Sequence, residues 1–320
     1  MNAFTSIQGL LELFTTKMNA IFRLRYRRST VAYTTAIVLI IVTTYYLTKN
    51  EKVNIFGAKL PPFQGKGRIR SEATAKNRTM EDLLPFLTSP VVVTTANYGY
   101  LQIVNNFLQS FKKIQVNVSI VIVCEDELLY NHFRERKDVH AVITEFSANI
   151  TKAQKFRTRK FNEIVNRRIF YILQLIDNGI DTLYLDSDTI WIHNPFPYFD
   201  EEYDLFVQQE IFQPYCSGMF YIKATQASLR MISYWHALNK DKYTNQYAYN
   251  TAIKYTKGLR VKGLPTDRFV GGEIYFRKTT PWFERKPQPV IVHATWLLGP
   301  TEKIKQLKKC GLWFVNASYT

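Results

Sequence analysis

The spacing of apolar and polar residues divides this chain of 320 residues into segments of different character. Residues 31–47 contain no charged side chain, and residues 51–85 show little periodicity. From residue 90 onward, short apolar runs alternate with stretches of helical spacing. The short runs predict buried strands, and apolar residues at i, i+3 and i+4 predict amphipathic helices. The pattern therefore indicates a tail, an apolar segment, a linker and one folded domain.

The folded domain, residues 89–320, begins with strands and helices in strict alternation. The predicted strands are residues 90–96, 116–124, 139–143, 182–185, 203–209, 219–222 and 289–293. The predicted helices are residues 101–113, 126–136, 161–178, 225–238, 245–255 and 301–309. The opening β-α-β-α-β order is typical of a parallel sheet of Rossmann type. The fold class is therefore α/β.

The strand at 182–185 runs directly into an acidic turn, Asp186-Ser187-Asp188. In open α/β sheets, ligands bind beyond the carboxyl ends of the strands, so both carboxylates are expected at the binding edge. Two carboxylates one residue apart suit a hard divalent cation when a phosphate supplies further oxygens. The alternative is an aspartate that only caps a turn. This alternative stays open because about one Asp-x-Asp is expected by chance in a chain of this length. The preceding strand and helices favour a metal–diphosphate site.

Other residues would have to complete such a site. The chain has neither a G-x-G-x-x-G nor a Walker sequence, so metal and basic side chains would hold the phosphates. His293 ends the last predicted strand, and its ring could reach the same sheet edge as the two aspartates. A neutral imidazole suits Mn²⁺ beside carboxylates, although a lone histidine is more often structural.

The uncharged run lies in residues 30–48, a segment long enough to span a bilayer. Four arginines precede it (Arg23, Arg25, Arg27, Arg28), and no small-residue cleavage site follows. An uncleaved single-pass anchor is therefore favoured over a signal peptide or a buried core helix. The positive-inside rule then predicts a cytosolic tail at 1–29, a stem at 49–88 and a lumenal domain at 89–320.

Charge, sequons and cysteines restrict the partners further. The net charge is +16, but the basic residues are dispersed and form no nucleic-acid-binding motif, so nucleic acid is not expected as a partner. Three cysteines without metal-binding spacing exclude a disulfide scaffold. Four N-x-S/T sequons follow the apolar segment, consistent with lumenal glycosylation. They lie at Asn77, Asn117, Asn149 and Asn316.

The acidic turn and its surroundings resemble a known family. The run from Leu185 through Asp188 and Trp191 to Pro195 is similar to the signature of nucleotide-diphospho-sugar transferases of glycosyltransferase family 77, and more distantly to family 8. The similarity extends over about residues 90–315. Its further motifs are residues 94–98, 217–221, 245–246, 264–267, 271–272 and 293–303. The resemblance implies a GT-A fold, a UDP-sugar donor, a glycan or glycoprotein acceptor, Mn²⁺ or Mg²⁺, and a retaining mechanism.

The resemblance also implies roles for individual residues. The metal ligands would be Asp186, Asp188 and His293, and Gln246 would lie near the reacting carbon. Asp267, taken as a second catalytic candidate, and Glu273 are other carboxylates that could lie nearby. Contacts to the nucleotide-sugar would come from Thr94, Ala96, Tyr98, Arg168, Asp186, Ser187, Gly299 and Lys303. Tyr98 could instead pack locally, and Arg168 and Lys303 could be solvated helix charges.

Two positions depart from the family pattern. Asn245 stands where an aspartate usually precedes Gln246, and Cys216 stands where an asparagine is usual. A retaining enzyme needs no strong nucleophile if the leaving diphosphate takes the acceptor's proton on the same face. The expected function is thus a metal-dependent glycosyltransferase, anchored in the Golgi membrane as a type II protein. The alternative is a catalytically inactive GT-A domain that binds nucleotide or glycan.

Overall fold

The computed structural model describes residues 78–144, 146, 150–211, 214–239, 244–277 and 284–315. The predicted tail, the anchor and most of the stem lie outside the described residues, as do the sequons at Asn77, Asn149 and Asn316. Within the described part, no helix is long and apolar enough to cross a membrane. The remaining sequon residue, Asn117, is exposed in the loop before the second strand.

The elements follow the predicted order, with boundaries shifted by a few residues. The strands are β1 (Val91–Ala96), β2 (Ser119–Cys124), β3 (His140–Ile143), β4 (Thr182–Leu185), β5 (Thr189–Trp191), β6 (Leu205–Gln209), β7 (Tyr215–Ile222), β8 (Val261–Gly263), β9 (Phe269–Gly271) and β10 (Ile291–His293). The helices are α1 (Met80–Leu83), α2 (Leu101–Ile114), α3 (Glu127–Phe133), α4 (Arg159–Asp177), α5 (Gln226–Leu238), α6 (Asn245–Tyr255), α7 (Gly272–Tyr275) and α8 (Gly299–Lys309).

Seven strands form the main sheet, in the order β3-β2-β1-β4-β7-β6-β8. The pairs β1–β2, β2–β3 and β1–β4 are parallel, as the alternation predicted. Strand β7 is antiparallel to both β4 and β6, so the sheet is mixed and the all-parallel interpretation is wrong beyond β4. Only residues 210–214 separate β6 from β7, which is too short for the crossover that a parallel pair requires.

The sheet is buried on both faces, which explains why its central strands read as continuous apolar runs. Val91 and Val93 of β1 pack with α4, α5 and α6 on one face. Val92, between them, packs with α2 and α3 on the other face. Each such fully buried side chain contributes about 1.5–3 kcal/mol relative to exposure. The sheet and its position in the core therefore follow directly from the apolar pattern.

Residues 80–84, towards the end of the predicted stem, pack on this core. Thr79 caps α1 through a reciprocal pair of hydrogen bonds with Asp82, the arrangement known as a capping box. Met80 and Leu83 are fully buried in the same cluster as Val91. The apolar contacts of this short helix explain why it belongs to the folded domain.

A second, three-stranded sheet has the order β5-β10-β9. Strand β5 follows the acidic turn directly and pairs antiparallel with β10, with Thr189 opposite His293. Strand β9 pairs parallel with β10 on its other side, with Gly271 opposite His293. His293 therefore lies in this small sheet rather than in the main one. Its strand, β10, is nevertheless paired with β5, which begins one residue after Asp188. Strands β5, β8 and β9 and helices α1 and α7 were not among the predicted elements.

Candidate active site

The acidic turn is held at the carboxyl end of β4 by backbone bonds from two directions. The amide of Asp186 donates to the carbonyl of Gly218 on β7 at 2.7 Å. The carbonyl of Asp188 accepts from the amide of Ala294, just after β10, at 3.0 Å. Within the turn, the amide of Thr189 donates to the carbonyl of Asp186 at 3.1 Å. Both carboxylates are thereby fixed between the two sheets.

Asp186, Asp188 and His293 come together at this point. One ligand atom from each lies within 4.8 Å of the other two. The Nε2 atom of His293 is 3.4 Å from Oδ1 of Asp188 and 3.8 Å from Oδ2 of Asp186. Two carboxylates and an imidazole are a donor set that suits Mn²⁺. The cluster joins a turn and a strand that are about a hundred residues apart in sequence.

Gln208 on β6 determines which nitrogen of His293 faces the carboxylates. Its side-chain nitrogen donates to the carbonyl of Phe269 at 3.3 Å, which directs its Oε1 towards the imidazole. That oxygen lies 2.9 Å from Nδ1 of His293, so Nδ1 carries the proton and donates. In the neutral ring, the lone pair of Nε2 then faces both aspartates. This orientation of a ligating histidine by a second hydrogen bond is what a metal site requires, so the residues fit a divalent cation.

The charges in the cluster favour ionised carboxylates. Burial alone would raise the pKa of Asp188, but the ammonium of Lys303 and, when the ring is protonated, the imidazolium of His293 hold it well below its usual range. For His293, burial alone would lower the pKa, whereas Asp188 and then Asp186 raise it. Asp188 is therefore ionised at neutral pH and able to bind a cation.

Lys303, in the second turn of α8, is buried beside Asp188. Its Nζ donates to Oδ2 of Asp188 at 2.5 Å and to the carbonyl of Ala294 at 2.5 Å. Only 8% of the residue is exposed, so the alternative of a solvated helix lysine is wrong. Gly299 begins this helix with φ +73°, a left-handed conformation that glycine adopts without strain.

Arg168 on α4 lies beneath Asp186. Its Nη1 donates to Oδ1 of Asp186 at 2.8 Å and to the carbonyl of Ser217 at 3.1 Å. Its Nε donates to the carbonyl of Val165 at 2.7 Å. The hydroxyl of Tyr184 donates to the same Oδ1 atom at 3.0 Å. Arg168 is only 4% exposed, so it is not a solvated helix charge and in this structure it orients Asp186.

Gly218 makes room for the cluster. A Cβ atom at this position would lie 2.3 Å from Oδ2 of Asp186 and 2.8 Å from Cε1 of His293. Contacts this short are essentially never seen for real Cβ atoms. The Ser-Gly pair on β7 therefore has a steric function that its spacing in the sequence does not reveal.

The residues expected around the nucleotide lie at or near the end of β1. Thr94 is fully buried, Ala96 is 5% exposed, and Ser187 in the acidic turn is 7% exposed. Tyr98 is 41% exposed in the short helical turn after β1, and its amide donates to Oδ2 of Asp126 at 2.6 Å. Its ring is thus accessible for stacking. The neighbouring Tyr100 was not singled out from the sequence, but burial, Asp188 and Asp186 raise its pKa to about 12.

The residues expected at the sugar end are more dispersed. Gln246 is half-buried in the first turn of α6, and its Nε2 donates to Oε2 of Glu210 at 2.7 Å. Asp267 is exposed in the turn between β8 and β9. Among the described residues, no hydrogen bond or ion pair joins it to the cluster. Cys216 is buried, with Sγ 3.8 Å from Nδ1 of His293. Gln208 and Glu210 were missed because nothing in their local sequence marks them, whereas Gly218 lies in the motif at 217–221 but was given no role.

Comparison with known proteins identifies relatives of this chain. The sequence profile described as nucleotide-diphospho-sugar transferase matches residues 116–307. The chain is 25% identical over 255 residues to UDP-D-xylose:L-fucose alpha-1,3-D-xylosyltransferase 3 of Arabidopsis thaliana, covering 71% of this chain and 67% of that protein. It is 22% identical over 282 residues to UDP-galactose:fucoside alpha-3-galactosyltransferase of Dictyostelium discoideum, covering 70% of this chain and 43% of that protein.

Solved structures show weaker overall similarity. The glycosyltransferase GlyE of Streptococcus pneumoniae aligns with a TM-score of 0.48 at 14% identity, over 72% of this chain and 62% of that one. The galactosyltransferase LgtC, solved with donor and acceptor sugar analogues, aligns with a TM-score of 0.48 at 14% identity, over 71% and 98% of the two chains. The family profile covers more than half of the chain and includes the acidic turn, His293 and Lys303. The protein therefore belongs to the family of nucleotide-diphospho-sugar transferases, enzymes of the α/β GT-A type.

Proposed function

We propose that this protein transfers a pentose or hexose from a UDP-sugar to a hydroxyl group of a glycan or glycoprotein, with retention of anomeric configuration. The observation that carries the proposal is the cluster of Asp186, Asp188 and His293 with the ammonium of Lys303 beside it. Relatives named as UDP-xylose and UDP-galactose transferases support UDP-sugar as the donor class. One name gives L-fucose and the other a fucoside as the acceptor, which favours a fucose-containing glycan as the first acceptor to test.

The residues of the cluster would hold Mn²⁺ or Mg²⁺ through Asp186, Asp188 and His293. Such a cation supplies positive charge that stabilises a diphosphate as it leaves. Lys303 adds a second positive charge next to Asp188, where the same diphosphate would bind. Arg168 holds Asp186, and Gln208 holds His293, so the ligands are fixed before substrate arrives. Charges that are already oriented lower the barrier without having to reorganise during the reaction.

Retention is consistent with a reaction on one face of the sugar. The C1–O bond to the diphosphate breaks with its electron pair passing to the diphosphate oxygen. The acceptor hydroxyl forms the new bond to C1 on the same face and gives its proton to that oxygen. The protein stabilises the negative charge of the leaving diphosphate and positions the sugar. Gln246, at the start of α6, would contribute to positioning the sugar.

Donor turnover by the full chain, purified in detergent, tests the proposal. UDP-xylose, UDP-galactose, UDP-glucose and UDP-arabinose would be supplied with Mn²⁺ and a fucoside acceptor. We expect turnover of at least one donor, lost by at least about 100-fold in Asp188→Ala. Asp177→Ala, at the exposed end of α4, is the matched control and should turn over like wild type. Undiminished turnover in Asp188→Ala would refute the proposal.

The same experiment separates the enzyme from a binding module. Cys216 and Asn245 are the departures that motivate an inactive domain. If UDP and Mn²⁺ bind but no donor reacts with any acceptor, the chain is a nucleotide-binding module. Anomeric configuration of any product, read by NMR coupling constants, tests retention separately.

The proposed location is a Golgi membrane, with residues 30–48 as a type II anchor and the catalytic domain in the lumen. Exposed Asn117 offers a direct test, since glycosyl transfer to a sequon occurs only on the lumenal side. Expression of the full chain in cells should give a glycosylated protein whose gel mobility changes on treatment with an N-glycosidase. Asn117→Gln should remove one increment of that shift. A chain that carries no N-glycan and is accessible from the cytosol would refute the topology.

A further inference from the structure

A carboxylate that the sequence did not indicate lies beside Gln246. Oε2 of Glu210, in the residue that follows β6, accepts a hydrogen bond of 2.7 Å from Nε2 of Gln246. Both side chains are half-buried. A carboxylate can only accept hydrogen bonds, so this contact requires the NH₂ end of the amide to face Glu210. The Oε1 atom of Gln246 is consequently directed away from Glu210.

Glu210 is also close to the metal cluster, with one residue between them. Across the β6–β7 ladder, Gln209, the residue before Glu210, pairs with Tyr215, which precedes Cys216 and its buried sulfur. The same sulfur lies 3.8 Å from Nδ1 of His293. Glu210 and Gln246 therefore flank the cluster on the side formed by β6, β7 and α6.

Asn245, at the position where the family pattern has a carboxylate, faces a different element. It is only 7% exposed, and its Nδ2 donates to Oδ1 of Asn166 at 3.0 Å on α4. The carbonyl of Val165 accepts from it at 3.4 Å. Asn245 thus ties α6 to α4, and the carboxylate next to Gln246 comes from the end of β6 instead.

We propose that Glu210 is a positioning residue that locks the amide of Gln246 with its Oε1 towards the anomeric carbon of the donor sugar. This inference rests on the proposed function. As the diphosphate leaves, positive charge develops on the sugar, and an amide oxygen aimed at it is stabilising. Glu210 makes no bond to the sugar. With glutamine at position 210, the amide of Gln246 can rotate so that its Oε1 and Nε2 exchange places, because the amide at position 210 can donate as well as accept a hydrogen bond.

A double-mutant cycle tests this, because Glu210→Gln keeps the size and shape of the side chain. We expect Glu210→Gln to lower kcat for the donor by about 10–100-fold, in the range of lost electrostatic stabilisation. The affinity for UDP with Mn²⁺ should stay within about twofold, since the metal ligands are unchanged. In a Gln246→Ala background, Glu210→Gln should cost nothing further, because residues acting through one another are not additive. Glu135→Gln, at an exposed glutamate after α3, is the control that should behave as wild type.

The outcomes are distinguishable. Undiminished kcat in Glu210→Gln, or losses that multiply in the double variant, would overturn the positioning role while leaving the proposed function intact. A wild-type chain that binds UDP and Mn²⁺ but turns over no donor would defeat the proposed function. In that case, the ratio of the affinity for UDP-sugar to the affinity for UDP is measured in wild type and in Glu210→Gln. If this ratio is the same in both proteins, the inference is overturned as well.

Discussion

The imidazole of His293 donates from Nδ1 to Oε1 of Gln208 across 2.9 Å, and both side chains are buried. The histidine comes from the small sheet and the glutamine from the main sheet, so this bond links the two. It leaves Nε2, the nitrogen that faces Asp188 and Asp186, without the proton in the neutral ring. The competence of the site for a cation therefore depends on a residue that would not itself touch the metal.

Replacement of Gln208 should weaken metal binding without removing a ligand. We expect Gln208→Leu to lower Mn²⁺ affinity by about 10–100-fold, because outer contacts to ligating histidines typically contribute that much. Isothermal titration of the full chain with Mn²⁺ measures the change. Gln209→Leu, at the exposed end of the same strand, should leave the affinity unchanged. Equal affinities in Gln208→Leu and wild type would show that the ring is oriented by other contacts.

Lys303 should have opposite effects on the two ligands. In Lys303→Gln, the competing ammonium beside Asp188 is gone, so the affinity for Mn²⁺ alone should rise several-fold. The affinity for UDP in saturating Mn²⁺ should fall by about tenfold, since one charge that would contact the diphosphate is lost. Both are measured by titration, with thermal unfolding as a check because breaking a buried ion pair is destabilising. Lys305→Gln on the same helix is the matched control. A parallel fall in both affinities would contradict a charge effect and indicate a structural one.

A methyl group at position 218 should disturb the cluster. The Cβ of Gly218→Ala would have to displace Asp186 and His293, because it would lie 2.3 Å and 2.8 Å from their side chains. We expect Mn²⁺ affinity to fall by at least about tenfold, comparable to the loss of an outer contact. Ser217→Ala, the adjacent residue on β7, keeps the carbonyl that accepts from Arg168 and should bind as wild type. Unaltered Mn²⁺ binding in Gly218→Ala would mean that the strand can shift to accommodate the methyl group.

Glu125, at the end of β2, should make stability depend on pH. Burial raises its pKa from 4.5 to about 7, even though Arg167 lies 2.8 Å away and lowers it. Between these values the folded state holds the proton and the unfolded state has released it. Stability is therefore lost as pH rises through that window, by roughly 3 kcal/mol if the whole shift is expressed.

Denaturant unfolding of wild type and Glu125→Gln at pH 5 and pH 8 measures this contribution. The variant has no carboxyl group to ionise, so its stability relative to wild type should be greater at pH 8 than at pH 5. Glu127→Gln, an exposed residue two positions away, should show no such change. A difference between wild type and Glu125→Gln that does not vary with pH would refute the raised pKa.

Much of the fold could be predicted from the sequence because the sheet is buried on both faces. Continuous apolar runs such as residues 91–93 leave little doubt about a strand, and the helical spacing after them defines its partner. Strands β8 and β9 have three residues each, too short for periodicity to be detected. The opening β-α-β-α-β order carries no information about β7, whose antiparallel direction follows from its short connection to β6 and which begins four residues before the predicted strand at Met219.

The site was predictable only where the side chains themselves carry the chemistry. Asp186, Asp188 and His293 are residue types that bind metals, and each follows or ends a predicted strand. Gln208 and Glu210 lie on either side of the last residue of β6 and matter because of what they contact across the sheets. Such contacts depend on the packing of β6 against β9 and α6, and no local pattern contains that information.

The pairing of β5 with β10 has a consequence for how variation could be accommodated in this protein. The amide of Ala294 donates to the carbonyl of Asp188 at 3.0 Å, and Thr189 lies opposite His293, so the pairing fixes the spacing of the ligands from both sides of a long intervening stretch. The exposed turns within that stretch, such as residues 200–202 and 265–267, can then change in length or composition without altering the ligand spacing. Substrate preference and metal geometry are thereby separable, and grafting new acceptor-facing loops onto this domain should preserve its ability to bind a cation.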